Sequence, residues 1–209
     1  MLFRSHMAEH DGLTGLPVRN VLLERLEQAL DEIKRQANSL ALLMIDVDNF
    51  KHINDTMGHA VGDQALFTIG TRLQESLRST DTVARMGGDE FTVLLTGLNG
   101  PEEAQKIASL LVSKISEPMV LQGIRVEVSV SVGIATYPES GSDVKTLLRN
   151  SDAALYQAKA RGRNCYQMHS VVAHYLRNGA SFPQNSVDVL FRFISMEIPA
   201  LKATSFNRV

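Results

Sequence analysis

The sequence predicts an α+β fold in which helices pack on a mixed sheet. Three observations carry that expectation. Strand-like and helix-like segments alternate along the chain, Leu40 to Val47 is apolar until Asp46 interrupts it, and a Gly-Gly pair at 87–88 separates two β-prone runs. Asp11-Gly-Leu-Thr-Gly-Leu-Pro17 reads as a loop, with Pro17 suited to a first helical turn. Leu22, Leu23, Leu26, Ala29, Leu30 and Ile33 then recur at helical spacing up to Gln36. After the buried strand, Asn54 to Gly62 is turn-rich and Val61 to Leu77 reads as a second amphipathic helix. A hairpin centred on Gly87–Gly88 follows, because a two-residue primed turn needs φ > 0. Glu102 to Ile115 reads as a third helix, and Met119 to Leu121 with Arg125 to Ala135 as a strand pair. Asp143 to Arg161 is a fourth helix, and Cys165 to Met168 a short last strand. Val187, Leu190, Phe191 and Ile194 have the spacing of a tail helix that carries no recognisable chemistry.

With 209 residues, 44% of them hydrophobic and 21% charged, the chain is long enough for one full core. A formal charge of −2 gives no basic footprint for long nucleic acid, so any phosphate must be held by a few placed cations. The single cysteine, Cys165, excludes an internal disulfide framework and suits the cytoplasm. No apolar run approaches bilayer length, and the first ten residues lack the order of a signal peptide, so direct membrane contact is not expected of this fragment. Ser5-His6-Met7 resembles a cloning scar. The expected organisation is a linker or cloning leader over residues 1–10, a catalytic domain over 11–168, and an extension without assigned role over 169–209.

The acids are the chemically informative residues. Asp89 and Glu90 follow directly on the Gly-Gly turn, where a hairpin needs no charge and two adjacent anions repel. Asp46 and Asp48 stand where the buried strand emerges, the end at which open sheets bind ligands. Taken alone, such acids are more often loop caps than ligands. Together the four acids offer a hard, oxygen-rich set suited to Mg²⁺, which binds through one or two carboxylates plus substrate phosphates. Lys159 and Arg163, four residues apart, share one helix face and can meet phosphates; taken alone, their place at a helix C-terminus is better explained by the helix dipole. Asp63 accepts hydrogen bonds only, so it matches the N1–H and amine of guanine and would be left unpaired by adenine. Asn54 can add a complementary amide, or both residues can cap turns around Gly58 and Gly62.

Five stretches in fixed order then resemble one family, the GGDEF domain of diguanylate cyclases. They are Asp11-Gly-Leu-Thr-Gly-Leu-Pro17, Asp46-Val-Asp-Asn-Phe-Lys-His-Ile-Asn54, Gly58-His-Ala-Val-Gly-Asp63, Arg85-Met-Gly-Gly-Asp-Glu-Phe91 and Ala154-Leu-Tyr-Gln-Ala-Lys-Ala-Arg-Gly-Arg-Asn164. The resemblance runs from Asp11 to Gln167. It implies a nucleotidyl cyclase-like fold with a central five-stranded sheet and a ferredoxin-like βαββαβ core. It implies condensation of two GTP into cyclic di-GMP with release of pyrophosphate, by a homodimer in which each domain holds one GTP. It further implies that Asp46, the Val47 carbonyl and Asp89 hold Mg²⁺, with Mn²⁺ as an alternative, and that Glu90 supports the metal or deprotonates the attacking 3′-hydroxyl. Asn54 and Asp63 are expected at guanine, and Lys159 and Arg163 at the terminal phosphates. Backbone near Asn49, Phe50 and Lys51 is expected to cradle those phosphates, with Gly87 and Gly88 allowing GTP to approach closely.

Arg78-Ser-Thr-Asp81 matches the family's RxxD product-inhibition signature at the family's offset from Gly87. Arg78 can grip a guanine or phosphate of cyclic di-GMP, and Asp81 can accept from guanine. Met86 stands where an aromatic or Leu is usual, and Asn49 and His52 fall at variable positions. A silent GGDEF module that only binds nucleotide usually shows a damaged signature, which this chain does not. Residues 1–10 are too few for a sensory domain, so a longer regulated parent is expected, with or without a membrane anchor.

Overall fold

Leu40, Ala41, Leu42, Leu43 and Ile45 are wholly buried although successive side chains on a strand point to opposite faces. A strand apolar on both faces must be covered on both, and the whole fold is assembled on this one. The computed structural model describes residues 9–36 and 39–169. In chain order its elements are α1 (Arg19–Gln36), β1 (Ser39–Val47), α2 (Phe50–Met57), α3 (His59–Glu75), β2 (Thr82–Gly87) and β3 (Glu90–Leu98). There follow α4 (Pro101–Ser116), β4 (Met119–Leu121), β5 (Ile124–Val126), β6 (Val130–Tyr137), α5 (Val144–Ala160) and β7 (Tyr166–Met168).

The sheet has five strands in the order β2-β3-β1-β6-β7, and β4 with β5 makes a separate two-stranded hairpin. β1 pairs antiparallel with β3 and β6, β2 antiparallel with β3, and β7 parallel with β6. This is the mixed, helix-flanked sheet that the sequence predicts. Ala41, Leu43, Ile45 and Val47 face a core with α2, α3 and α4, while Leu40 and Leu42 face α1 and α5. Asp143 caps α5 by accepting from the Thr146 N–H at 2.9 Å.

Three expectations are corrected. Asn54 to Met57, read as turn, is the second half of α2, since Ile53 and Phe50 pack inward and carry the helix until Gly58 ends it at φ 85°. Arg125 to Ala135, read as one strand, is two: Val126 belongs to the small hairpin, and pairing with β1 begins only at Val130. The two-residue loop of the signature hairpin is Gly88–Asp89 rather than Gly87–Gly88, because Gly87 pairs with Glu90 and the register shifts between Arg85 and Gly87. That shift is a bulge, and it sets Asp89 in the loop and Glu90 at the start of β3. The expected tail helix at Val187 to Ile194 lies outside the described residues. Among the described residues no helix is long and apolar enough to cross a membrane.

Candidate active site

Asp46 stands at the end of β1, opposite Glu90 of β3 on one side and Ser131 of β6 on the other. Period two puts it on the face of Leu42, under α5, and Lys159 from the last turn of α5 meets it at 2.8 Å. Burial pushes the Asp46 carboxyl above its ordinary value; Lys159 opposes that, while Asp89 and Asp48 add to it through their charge. A desolvated acid near other acids is stabilised by a cation, and here the Lys159 ammonium meets it. The Val47 N–H donates to the Asp89 carbonyl at 3.2 Å, so the emerging strand and the signature turn are tied together by their backbones.

Among the described residues no three His, Cys, Asp or Glu side chains converge as a ready-made metal cage. Mg²⁺ rarely needs one, since it keeps waters and shares its shell with substrate phosphates. Asp46, the Val47 carbonyl and Asp89 offer the oxygen donors that such an ion takes. Asp48, weighed from sequence as another acid of that site, does not belong to it. Its Oδ1 accepts from the Ser131 hydroxyl and its Oδ2 from the Ser129 hydroxyl, each at 2.7 Å, and Oδ2 also accepts from the Asn164 N–H at 3.0 Å. It is 5% exposed and fully engaged.

Asn49 enters α2 in the left-handed region at φ 54° without a side-chain cap on the helix. The first-turn amides at Phe50 and Lys51 are thus left for an acceptor from outside, as a phosphate cradle requires. Asn54 on α2 lies against Gly62 of α3, where a Cβ would fall 2.0 Å from the Asn54 Oδ1. Asp63 is the next residue of α3. The helix face expected to join Lys159 and Arg163 is not formed: Lys159 is in the last turn of α5 and partly exposed, whereas the helix ends at Ala160 and Arg163 stands exposed beyond it with φ 64°.

Arg78 and Asp81 occupy the turn between α3 and β2, away from these acids. The Asp81 Oδ2 accepts from the Arg78 N–H at 3.1 Å, while the Arg78 guanidinium pairs with Glu103 at 2.9 Å. The Asn99 N–H and side-chain amide also donate to Glu103, and together with Arg78 they hold its carboxyl below the ordinary value. A cavity of about 470 Å³ adjoins this turn, lined by Arg25, Leu77, Arg78, Asp81 and Thr82 among others.

Arg85, part of the signature motif, makes a contact that its sequence neighbours do not reveal. Arg85 donates to the Gly88 carbonyl from Nε at 3.1 Å and Nη2 at 2.7 Å, and its Nη1 meets Asp11 at 2.9 Å. Asp11 also accepts from the Thr14 N–H and hydroxyl. One guanidinium therefore ties the signature turn to the N-terminal loop. Burial opposes ionisation of Asp11, but the bonds from Thr14 and Arg85 outweigh it and hold the carboxyl below 3.8. Asp11→Asn should lower the unfolding free energy by about 1 kcal/mol at neutral pH. A depressed carboxylate stabilises fully above its unfolded pKa and loses that contribution as pH falls through the folded value. The gap between parent and variant in denaturant titrations should close below pH 3.8; a gap that widens there overturns the assignment.

The family described as "Diguanylate cyclase, GGDEF domain" matches residues 8–165. MucR of Pseudomonas aeruginosa, a bifunctional diguanylate cyclase/cyclic di-GMP phosphodiesterase, is 44% identical over 160 residues, or 77% of this chain and 23% of MucR. Diguanylate cyclase TpbB of the same organism is 43% identical over 160 residues, 76% of this chain and 37% of TpbB. The chain thus spans well under half the length of these curated relatives. The solved GGDEF domain of TpbB superposes with a TM-score of 0.78 at 39% identity, covering 81% of this chain and 99% of that one. The coiled coil and GGDEF domain of DgcB from Caulobacter crescentus, solved in complex with c-di-GMP, gives 0.73 at 25% identity, covering 80% and 88%. The sheet order, the grouped acids and a family match over most of the described residues lead to one conclusion: the chain belongs to the GGDEF domain family.

Proposed function

We propose that this domain is a diguanylate cyclase that condenses two GTP into cyclic di-GMP, releasing two pyrophosphates, as a Mg²⁺-dependent homodimer. The observation that carries the reading is the meeting of Asp46 and Lys159 at 2.8 Å beside the turn that bears Asp89 and Glu90. Acids for a metal and a cation for phosphate converge there from β1, α5 and the signature hairpin. Phosphoryl transfer needs positioning and charge stabilisation more than covalent chemistry from the protein.

Mg²⁺, or Mn²⁺ in its place, held by Asp46, the Val47 carbonyl and Asp89, supplies charge neutralisation at the phosphates. Lys159 and Arg163 hold the terminal phosphates, assisted by the open amides at Phe50 and Lys51. Asn54 and Asp63 select guanine. Gly87 and Gly88 leave the hairpin free of side chains on the approach of the triphosphate. Glu90 supports the metal site or takes the proton of the attacking 3′-hydroxyl. Each 3′-oxygen bonds to the α-phosphorus of the other GTP, and each pyrophosphate leaves as its α–β bond breaks. One domain binds one GTP, so two domains must face each other.

The test is incubation with GTP and Mg²⁺ over a range of protein concentrations, followed by nucleotide chromatography. Cyclic di-GMP should form, at a rate per protein that rises with concentration. No product at high concentration, with GTP still bound, would replace this reading with that of a nucleotide-binding receptor module.

Arg78 and Asp81, beside the cavity at the start of β2, are the inhibitory site for the product. Arg78→Ala should move the inhibition curve for added cyclic di-GMP to concentrations at least tenfold higher, since a bidentate charge-assisted contact is lost. Superimposable curves for parent and variant would remove the assignment.

A further inference from the structure

We infer that Asp48 is a positioning residue that holds the phosphate-binding loop after α5 onto the metal-bearing strand; this rests on the reading of Arg163 as a phosphate ligand. Asp48 follows Asp46 and Val47 directly, and its carboxylate is taken up by donors from the start of β6 and from the loop. It is 5% exposed, and all three of its partners are donors: the Ser129 and Ser131 hydroxyls and the Asn164 N–H. The Asp48 N–H meanwhile donates to the Ser129 carbonyl at 2.9 Å, which extends the β1–β6 pairing by one residue past the strand. The end of β1 is therefore fixed on both sides, by Asp89 through Val47 and by Ser129 through Asp48.

The far side of the contact is the loop itself. Arg163 and Asn164 are successive non-glycine residues in the left-handed region, at φ 64° and 47°. Such a pair persists only where surrounding contacts over-determine it, and it gathers at functional sites. Two contacts act on Asn164: its N–H goes to Asp48, and its Oδ1 accepts from the Ser116 hydroxyl at 2.9 Å. The Arg163 N–H returns to the Ala158 carbonyl at 3.2 Å. The Arg163 side chain is exposed and meets no hydrogen-bond or ion-pair partner among the described residues, so its direction is set by this backbone. Loss of the Asp48 carboxylate frees the loop and with it the guanidinium.

A positioning role and a metal-ligand role predict different substitution patterns. Asparagine can turn its Oδ1 to the Asn164 N–H and its amide to a serine hydroxyl, so it preserves the tether while removing the charge. The experiment measures binding of a GTP analogue with a non-cleavable α–β link, in Mg²⁺, to the full chain and its variants. Asp48→Ala should weaken binding about tenfold, Asp48→Asn should restore it to within about threefold, and Asp48→Ala should cost less than twofold more in an Arg163→Ala background. Amide exchange at Asn164, which needs no nucleotide, should rise in Asp48→Ala and stay near the parent in Asp48→Asn. If Asp48→Ala does not fold, the pair Ser129→Ala and Ser131→Ala takes its place with the same expectation. Parent-like exchange at Asn164 in Asp48→Ala, equal damage from Asn and Ala, or full multiplication of effects with Arg163→Ala overturns the tether. A change in exchange combined with no nucleotide binding even in the parent overturns the functional reading instead.

Discussion

Asp89→Ala should abolish turnover, lowering cyclic di-GMP production by about 10³-fold or more, the usual cost of removing one preorganised electrostatic group from a transition state. Asp89 is in the two-residue loop of the signature hairpin, where the side chain is half-buried and carries no part of the core. Its structural contribution comes from the backbone, whose carbonyl accepts from the Val47 N–H, and alanine keeps that bond. The variant should therefore melt close to the parent while losing the carboxylate proposed to hold the metal. Product is read by chromatography with GTP and Mg²⁺ in excess, and folding by thermal melting. Turnover within tenfold of the parent would remove Asp89 from the metal site and leave Asp46 and the Val47 carbonyl as its only anchors.

Much of this site was legible because its residues come in short local motifs. Asp46 interrupts an apolar run at its last turn of the pleat, which marks both the centre of the sheet and the point of emergence. The i, i+4 spacing of Lys159 and Arg163 suggests one helix face, but α5 ends at Ala160 and Arg163 lies in the left-handed loop beyond it, a stop that spacing alone does not reveal. What local pattern could not supply is the identity of distant partners. Asp48 looks like Asp46 from its neighbours, yet its partners lie 81, 83 and 116 residues further along the chain. The misread of Asn54 to Met57 has a different cause. Asn, Asp and Thr favour turns by bonding to nearby backbone, and here burial of Phe50 and Ile53 overrode that tendency. The valines from 126 to 132 alternate as a single strand would, and nothing in their periodicity reveals that Val126 belongs to one sheet, Val130 and Val132 to another, and Val128 to the link between them. Arg85 was visible in the signature but silent, since its role depends on a partner in the N-terminal loop.

Gly133→Ala should be the most damaging single-methyl change in the described fold. Gly133 lies on β6, paired with Met44 of β1, under α5. A Cβ there would fall 2.1 Å from the Ser151 carbonyl oxygen, 2.2 Å from the Leu155 nitrogen and 2.7 Å from the Leu155 Cα. All three atoms are helix backbone, so no rotamer change relieves the clash and α5 itself must shift. That helix is fixed along its length by buried Leu147, Ala154, Leu155 and Ala158. Overpacking of this kind costs about 3 kcal/mol, or a fall in Tm of roughly 6–12 °C for a domain of this size. The same shift withdraws Lys159 from Asp46, so activity should fall beyond what the lost stability explains, with KM for GTP rising at temperatures where the variant is fully folded. Gly12→Ala is the matched control, because a Cβ at Gly12 meets nothing within 4 Å; its Tm should stay within about 2 °C of the parent. A Gly133→Ala protein that melts with the control would mean that α5 does not rest on the sheet at this distance, and the Asp46–Lys159 contact would then lose its geometric basis.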